Sequence, residues 1–249
     1  MFKDFFDGIK AYRRALQLIP ELGLWGYVLA PGLISVLLGA GIVWGAISIA
    51  DDIGGWLLAL YPFEWGRATL GKIANVFSGL LVVVLGLIIF KNLVLALSSP
   101  IMSPLSEKVE RALTQASGPV KFSIARFFRD LLRGIRISIR LIVRELFFTI
   151  IVLILGLFPL FAPFAAGILF FIQSYYGGAG NIDFALERHF GVRDSVRFVH
   201  RNRALALGNG VVYILLLLSG IGFIVALPLG VIAATAETVK RLDALEHRL

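Results

Sequence analysis

From Leu22 to Ala50 the chain runs for 29 residues without one charged side chain. A helix needs about 20 apolar residues to cross roughly 30 Å of hydrocarbon, and a helix satisfies its own backbone there. This run is expected to be a spanning helix. Three further apolar stretches follow: Ile73 to Ser106, interrupted only by Lys91, then Leu146 to Ile182 and Ala204 to Ala236, both uncharged. Only 16% of the 249 residues are charged and 58% are hydrophobic, against roughly 25% charged in an ordinary soluble domain. The sequence therefore reads as a single all-α integral membrane domain.

The four stretches are not alike. Residues 22–50 and 73–106 are read as two long transmembrane helices, with Lys91 expected to snorkel toward the surface. In 146–182, Pro159 and Pro163 stand four apart, where each would cost a helix a hydrogen bond and a clash with the preceding turn. That pair is better placed at the tip of a helical hairpin. Residues 204–236 repeat the plan, with Ser219-Gly220-Ile221-Gly222 between two apolar arms and Pro228 on the second. Both are expected to be re-entrant, hemi-penetrating hairpins, which need protein cover at their turns and so favour a homo-oligomer.

Charge sets the orientation. Of 24 Lys and Arg, 21 lie in 1–21, 107–145, 183–203 and 237–249, so the positive-inside rule predicts cytoplasmic termini and connectors and an outer 51–72 segment. Trp25, Trp44, Trp56 and Trp65 fall near the ends of the first span or in that outer segment, where indole rings favour the headgroup layer. The net charge of +8 is thereby assigned to the inner membrane face and its anionic lipids rather than to nucleic acid.

Arg126, Arg129, Arg133, Arg136, Arg140 and Arg144 recur every 3.6 residues on average, on one helical face, with Phe128, Leu131, Leu132, Ile135, Ile139 and Ile142 opposite. Two readings stand. The helix lies flat at the interface with its guanidinium groups on lipid phosphates, or some of these arginines line the mouth of an anion pathway. Arg193, Arg197 and Arg201, with His200 and Arg203, form a shorter face open to the same two readings. Residues 1–21 are expected to be an interfacial helix. Gly23, Leu24, Trp25 and Gly26 then precede a helix whose first amides are unpaired and whose dipole is positive at that end, which makes them either a candidate anion site or a simple bend. Ser98 to Pro104 is expected to break the second long helix at Pro100 and Pro104.

Enzymatic chemistry has no foothold. The chain has no cysteine, its three histidines are scattered, and it carries no phosphate-binding Gly-rich loop or nucleophile elbow. No metal or other cofactor is assigned.

Several scattered groups of residues stand out together: Phe5 to Gly8 with Leu29 to Leu33; Ser99-Pro100 followed by Leu105, Glu107, Val109 and Glu110; Asp183 and His189; Arg197, Arg201 and Arg203; and Pro228 with Ala234-Thr235-Ala236. In these the chain resembles the CysZ sulfate-uptake family and its etoposide-induced-protein relatives. Where the family carries a Gly-hydrophobic-Arg-Arg pattern before the first span, this chain has Gly23, Leu24, Trp25 and Gly26, and where it carries Pro-Phe-Asn, this chain has Pro100-Ile101-Met102. The resemblance implies passive, channel-like uptake of sulfate or a related oxyanion across an inner membrane toward cysteine biosynthesis, by an assembly of several protomers without a cofactor. A non-transporting scaffold or lipid-interacting protein of the same fold is the competing reading.

Overall fold

The computed structural model describes residues 1–59, 67–116, 123–156, 161–220 and 222–246. Among them every regular element is a helix: α1 (Phe2–Glu21), α2 (Trp25–Ala59), α3 (Arg67–Thr114), α4 (Ile124–Gly156), α5 (Ala162–Leu186), α6 (Val192–Arg201), α7 (Arg203–Leu218) and α8 (Phe223–Glu246). Among the described residues three stretches are long and apolar enough to cross a membrane: Trp25–Ile42 in α2, Val84–Thr114 in α3 and Phe223–Ala244 in α8. The third lies where the sequence places the second arm of a hairpin and the tail. Pro159, Trp65 and Ile221 lie outside the described residues.

The centre of the bundle is α8, with 78% of its apolar stretch buried, whereas only 22% of that of α2 is buried. Around α8 pack α1, α2, α3, α5 and α7, and α4 joins from the far side of α3 and α5. α1 buries Gly8, Ala11, Tyr12, Ala15, Leu18 and Ile19, a spacing of three and one that makes one apolar stripe. That stripe is spent on α7 and α8, so α1 is docked on protein.

α5 and α7 cross in close backbone contact. A Cβ on Gly178 would stand 1.9 Å from the Ala206 carbonyl oxygen, and one on Gly210 would stand 1.6 Å from that of Ser174. Ser174 and Gly178 on one helix and Ala206 and Gly210 on the other are small-xxx-small pairs, which let backbones touch where lipid supplies no hydrophobic drive for association. Beside this crossing, Asn209 ties four helices together. Its backbone carbonyl accepts from the Tyr12 hydroxyl at 2.9 Å, its Oδ1 from Asn181 Nδ2 at 2.9 Å, and its own Nδ2 donates to the Gly230 carbonyl at 3.0 Å.

α4 is turned inside out by soluble standards. It buries Asp130, Gly134, Ser138, Glu145 and Thr149, while Phe128, Leu132, Ile139, Val143 and Phe147 are exposed. Polar groups find partners only against the protein, and the apolar side faces lipid.

Three expectations are corrected. α3 does not break at Ser98 to Pro104 but continues for 48 residues with Pro100 and Pro104 inside it. Pro-containing helices are tolerated where neighbouring helices pack around them, and α3 is tied to its neighbours here: Arg188 Nη1 donates to the Ser103 carbonyl at 3.5 Å, and Ser99 Oγ to the Asp130 carbonyl at 2.6 Å. The basic amphipathic stretch and the first hairpin arm are not separate, since α4 runs unbroken from Ile124 to Gly156. Lys91 does not snorkel: its side chain is 3% exposed and its Nζ lies 2.5 Å from Glu145 Oε1.

Candidate functional site

The end of α3, the first half of α4 and the end of α5 bring together charged groups far apart in sequence. Glu107, two turns beyond Ser99, pairs with Arg111 at 2.5 Å and with Arg126 across the gap to α4. Arg126 also reaches Asp130 at 3.5 Å. One turn further along α4, Arg133 meets Asp183 at 3.2 Å and Glu187 at 3.9 Å, and its Nη2 donates to Ser195 Oγ at 3.3 Å. Arg188 closes the chain of pairs, touching Glu187 at 3.7 Å, binding Glu110, and donating to Ser106 Oγ at 3.1 Å. His189 Nε2 lies 2.7 Å from the other oxygen of Glu110. Ser106 in turn shares a hydrogen bond of 2.9 Å with Thr235 of α8.

Over this network lies a cleft of about 830 Å³, lined by Arg126, Arg129, Arg133, Arg136 and Arg188 together with Asp130 and Glu187. The guanidinium groups outnumber the carboxylates on its walls. Arg129 and Arg136 are exposed on its rim, while Arg126 and Arg133 are held inward by their pairs. Burial pushes the Glu187 carboxyl up to about 7, with the Ser103 hydroxyl opposing and the Asp183 charge adding to the rise. Burial likewise raises Asp130 against Arg126 and Arg129. Such a cleft can hold a small oxyanion on bidentate guanidinium forks, and near neutral pH the Glu187 carboxyl adjusts the charge the anion meets.

The six-arginine face is thus divided. Arg126, Arg129, Arg133 and Arg136 line the cleft, and Arg140 and Arg144 line a separate groove. Of the shorter face, Arg197 pairs locally with Asp194 at 2.9 Å and stays exposed; Arg201 ends α6, exposed. Gly23, Leu24, Trp25 and Gly26 make the turn between α1 and α2. Gly23 takes φ +60°, a left-handed conformation that only glycine adopts cheaply. Leu24 is wholly buried, and the Trp25 and Gly26 amides have no backbone acceptor among the described residues. The cleft is lined by none of these four among the described residues.

Arg188, Glu187 and Ser195 were not legible as site residues, because a lone arginine in a basic connector carries no spacing signal. Of the residues that carry the resemblance, Ser99, Glu107, Glu110, Asp183 and His189 belong to the network. Among the described residues no group of His, Asp and Glu is arranged to hold a metal ion.

A family model described as Sulfate transporter CysZ/Etoposide-induced protein 2.4 matches residues 11–228, and the chain belongs to that family.

Proposed function

We propose that this protein carries sulfate or a related oxyanion across a bacterial inner membrane by a passive, channel-like route that supplies sulfur assimilation. Membership of a family whose description names a sulfate transporter supports a transport role over an enzymatic one. The observation that carries the reading further is the arginine-lined cleft, with Arg126, Arg133 and Arg188 held by carboxylates, Arg129 on its rim beside Asp130 at 3.8 Å, and Arg136 exposed on the rim where it can meet solute. Charge-assisted bonds of this kind are worth about 1.5–3 kcal/mol each, enough to draw a dianion from water without trapping it.

In this reading the turn at Gly23, Leu24, Trp25 and Gly26 is an entrance that offers two free amides, and the cleft supplies the guanidinium groups that the turn lacks. Two spanning helices, two re-entrant hairpins, cytoplasmic termini and a homo-oligomer that covers the hairpin turns complete it. Support for the second hairpin comes from α7, whose 16 residues reach only about 24 Å.

The test is radiolabelled sulfate uptake into liposomes containing the purified protein, beside empty liposomes and competition by sulfite, phosphate and chloride. Saturable uptake, competed by oxyanions more than by chloride, is expected. Uptake equal to that of empty liposomes from folded protein sinks the reading.

A further inference from the structure

A second concavity, of about 1040 Å³, lies between the first turn of α1, α4, α5, α6 and the start of α7. It is distinct from the arginine cleft and lies on the other side of Asp183. Its two halves differ in chemistry. Leu141, Phe148, Tyr176 and Val199 make an apolar wall, and Arg140, Arg144 and Arg203 bring guanidinium groups, and His200 an imidazole, to its edge from three helices. Arg144 and Arg203 line the same groove as Tyr175. None of the three arginines has a carboxylate partner among the described residues, since the nearby Asp183 is engaged by Arg133.

Cations converging without counter-ions call for an anion, and a long apolar wall calls for hydrocarbon. A free inorganic oxyanion would leave the wall unused and shed its hydration against aromatic rings. A zwitterionic or neutral lipid would leave the guanidinium groups poorly compensated. The groove opens onto the lipid-facing side of the bundle, where Phe148 is 47% and Phe171 52% exposed. Its volume slightly exceeds the roughly 300–1,000 Å³ of ordinary ligand sites, which leaves room for a headgroup and part of an acyl chain. We propose that this groove binds one anionic phospholipid, with the phosphate among Arg144, His200 and Arg203 and an acyl chain along Leu141, Phe148 and Tyr176.

The site is tested by native mass spectrometry of the delipidated full chain, offered equal amounts of phosphatidylglycerol and phosphatidylcholine with identical acyl chains. One phosphatidylglycerol per chain is expected in preference to phosphatidylcholine. The preference should fall by roughly fivefold for each cation removed in Arg144→Gln/Arg203→Gln, whose surface side chains can be lost without unfolding. Ala204→Trp, which fills the groove and keeps every cation, should lower retention of phosphatidylglycerol as well. Equal retention of the two lipids by the native chain, an unchanged preference in the double variant, or displacement of phosphatidylglycerol by millimolar inorganic phosphate would overturn the proposal.

Discussion

Lys91 of α3 and Glu145 of α4 form an ion pair 2.5 Å long, with side chains 3% and 0% exposed. Gln173 of α5 caps it, its Oε1 accepting from Lys91 Nζ at 2.7 Å and its backbone carbonyl at 3.1 Å. Three helices are therefore pinned at one point within the apolar layer. Removing one partner strands a charge, which costs about 3–5 kcal/mol, whereas removing both exchanges a desolvated pair for hydrocarbon. Lys91→Met and Glu145→Gln should each lower the thermal midpoint of the detergent-solubilised protein by well over 5 °C. Lys91→Met combined with Glu145→Leu should recover most of that loss. Additive losses in the double variant would show that the pair does not act as a unit.

The α5–α7 crossing makes a second stability prediction. Ordinarily Gly→Ala in a helix gains up to about 1 kcal/mol, and Gly167→Ala, with open space around the new methyl, should be neutral or stabilising. Gly178→Ala and Gly210→Ala drive a methyl into a facing carbonyl, and overpacking of that kind costs about 1–3 kcal/mol or more. Monodispersity on size exclusion and melting temperature should fall for these two alone. Equal behaviour of all three would mean that the helices do not cross this closely.

Glu187 gives the fold a pH dependence of definite sign. Its carboxyl stands at about 7 in the folded chain against a model-compound value of 4.5, so between those values the native state holds a proton that the unfolded chain has released. Stability is then fully present below about 4.5 and falls as pH rises toward about 7. A melting temperature recorded from about pH 5 to about pH 8 should decline in the native chain by several degrees. Glu187→Gln should flatten this component and be the more stable protein at the upper end. An identical slope in both would assign the pH dependence elsewhere.

Charge reversal separates transport from folding if the right arginine is chosen. Arg133 holds Asp183 and Glu187, so its reversal would set a carboxylate against two others and report on the fold. Arg136 lines the cleft and is exposed. Arg136→Glu should leave melting unchanged while lowering sulfate uptake roughly fivefold or more at low ionic strength, and less at high salt as screening grows. Normal uptake in a well-folded Arg136→Glu protein would remove the electrostatic part of the proposed route.

The helical segments could be read from sequence because lipid imposes a simple rule, length without charge, and residues 22–50 and 204–236 obey it. Partnership was less visible. The 3.6-residue spacing of Arg126, Arg129, Arg133 and Arg136 gave a shared face, but not the carboxylates Glu107, Asp183 and Glu187 that Arg126 and Arg133 meet on other parts of the chain. Lys91 looked like a snorkelling residue because its partner Glu145 lies 54 positions away, just before the next apolar run. Pro100 and Pro104 read as a break because local propensity takes no account of the helices α4 and α8 packed against α3. The Ser174/Gly178 and Ala206/Gly210 pairs were present as small residues four apart, a signal that matters only once the environment is known to be lipid.

The proposed topology rests on arm length and can be tested at one position. Ser219, at the turn between α7 and α8, is exposed, and the chain contains no cysteine to compete with a new one. A re-entrant hairpin entering from the cytoplasmic side leaves that turn within the bilayer, because α7 has 16 residues and reaches about 24 Å of the roughly 30 Å of hydrocarbon. Ser219→Cys should then resist a membrane-impermeant maleimide added from the outer side of intact cells, while a permeant maleimide labels it. α8 is nonetheless apolar and long enough to cross, through Phe223–Ala244, so a fully spanning hairpin is a concrete alternative. Strong labelling of Ser219→Cys by the impermeant reagent would establish that alternative, and would place the α7–α8 turn outside the membrane, opposite the cleft.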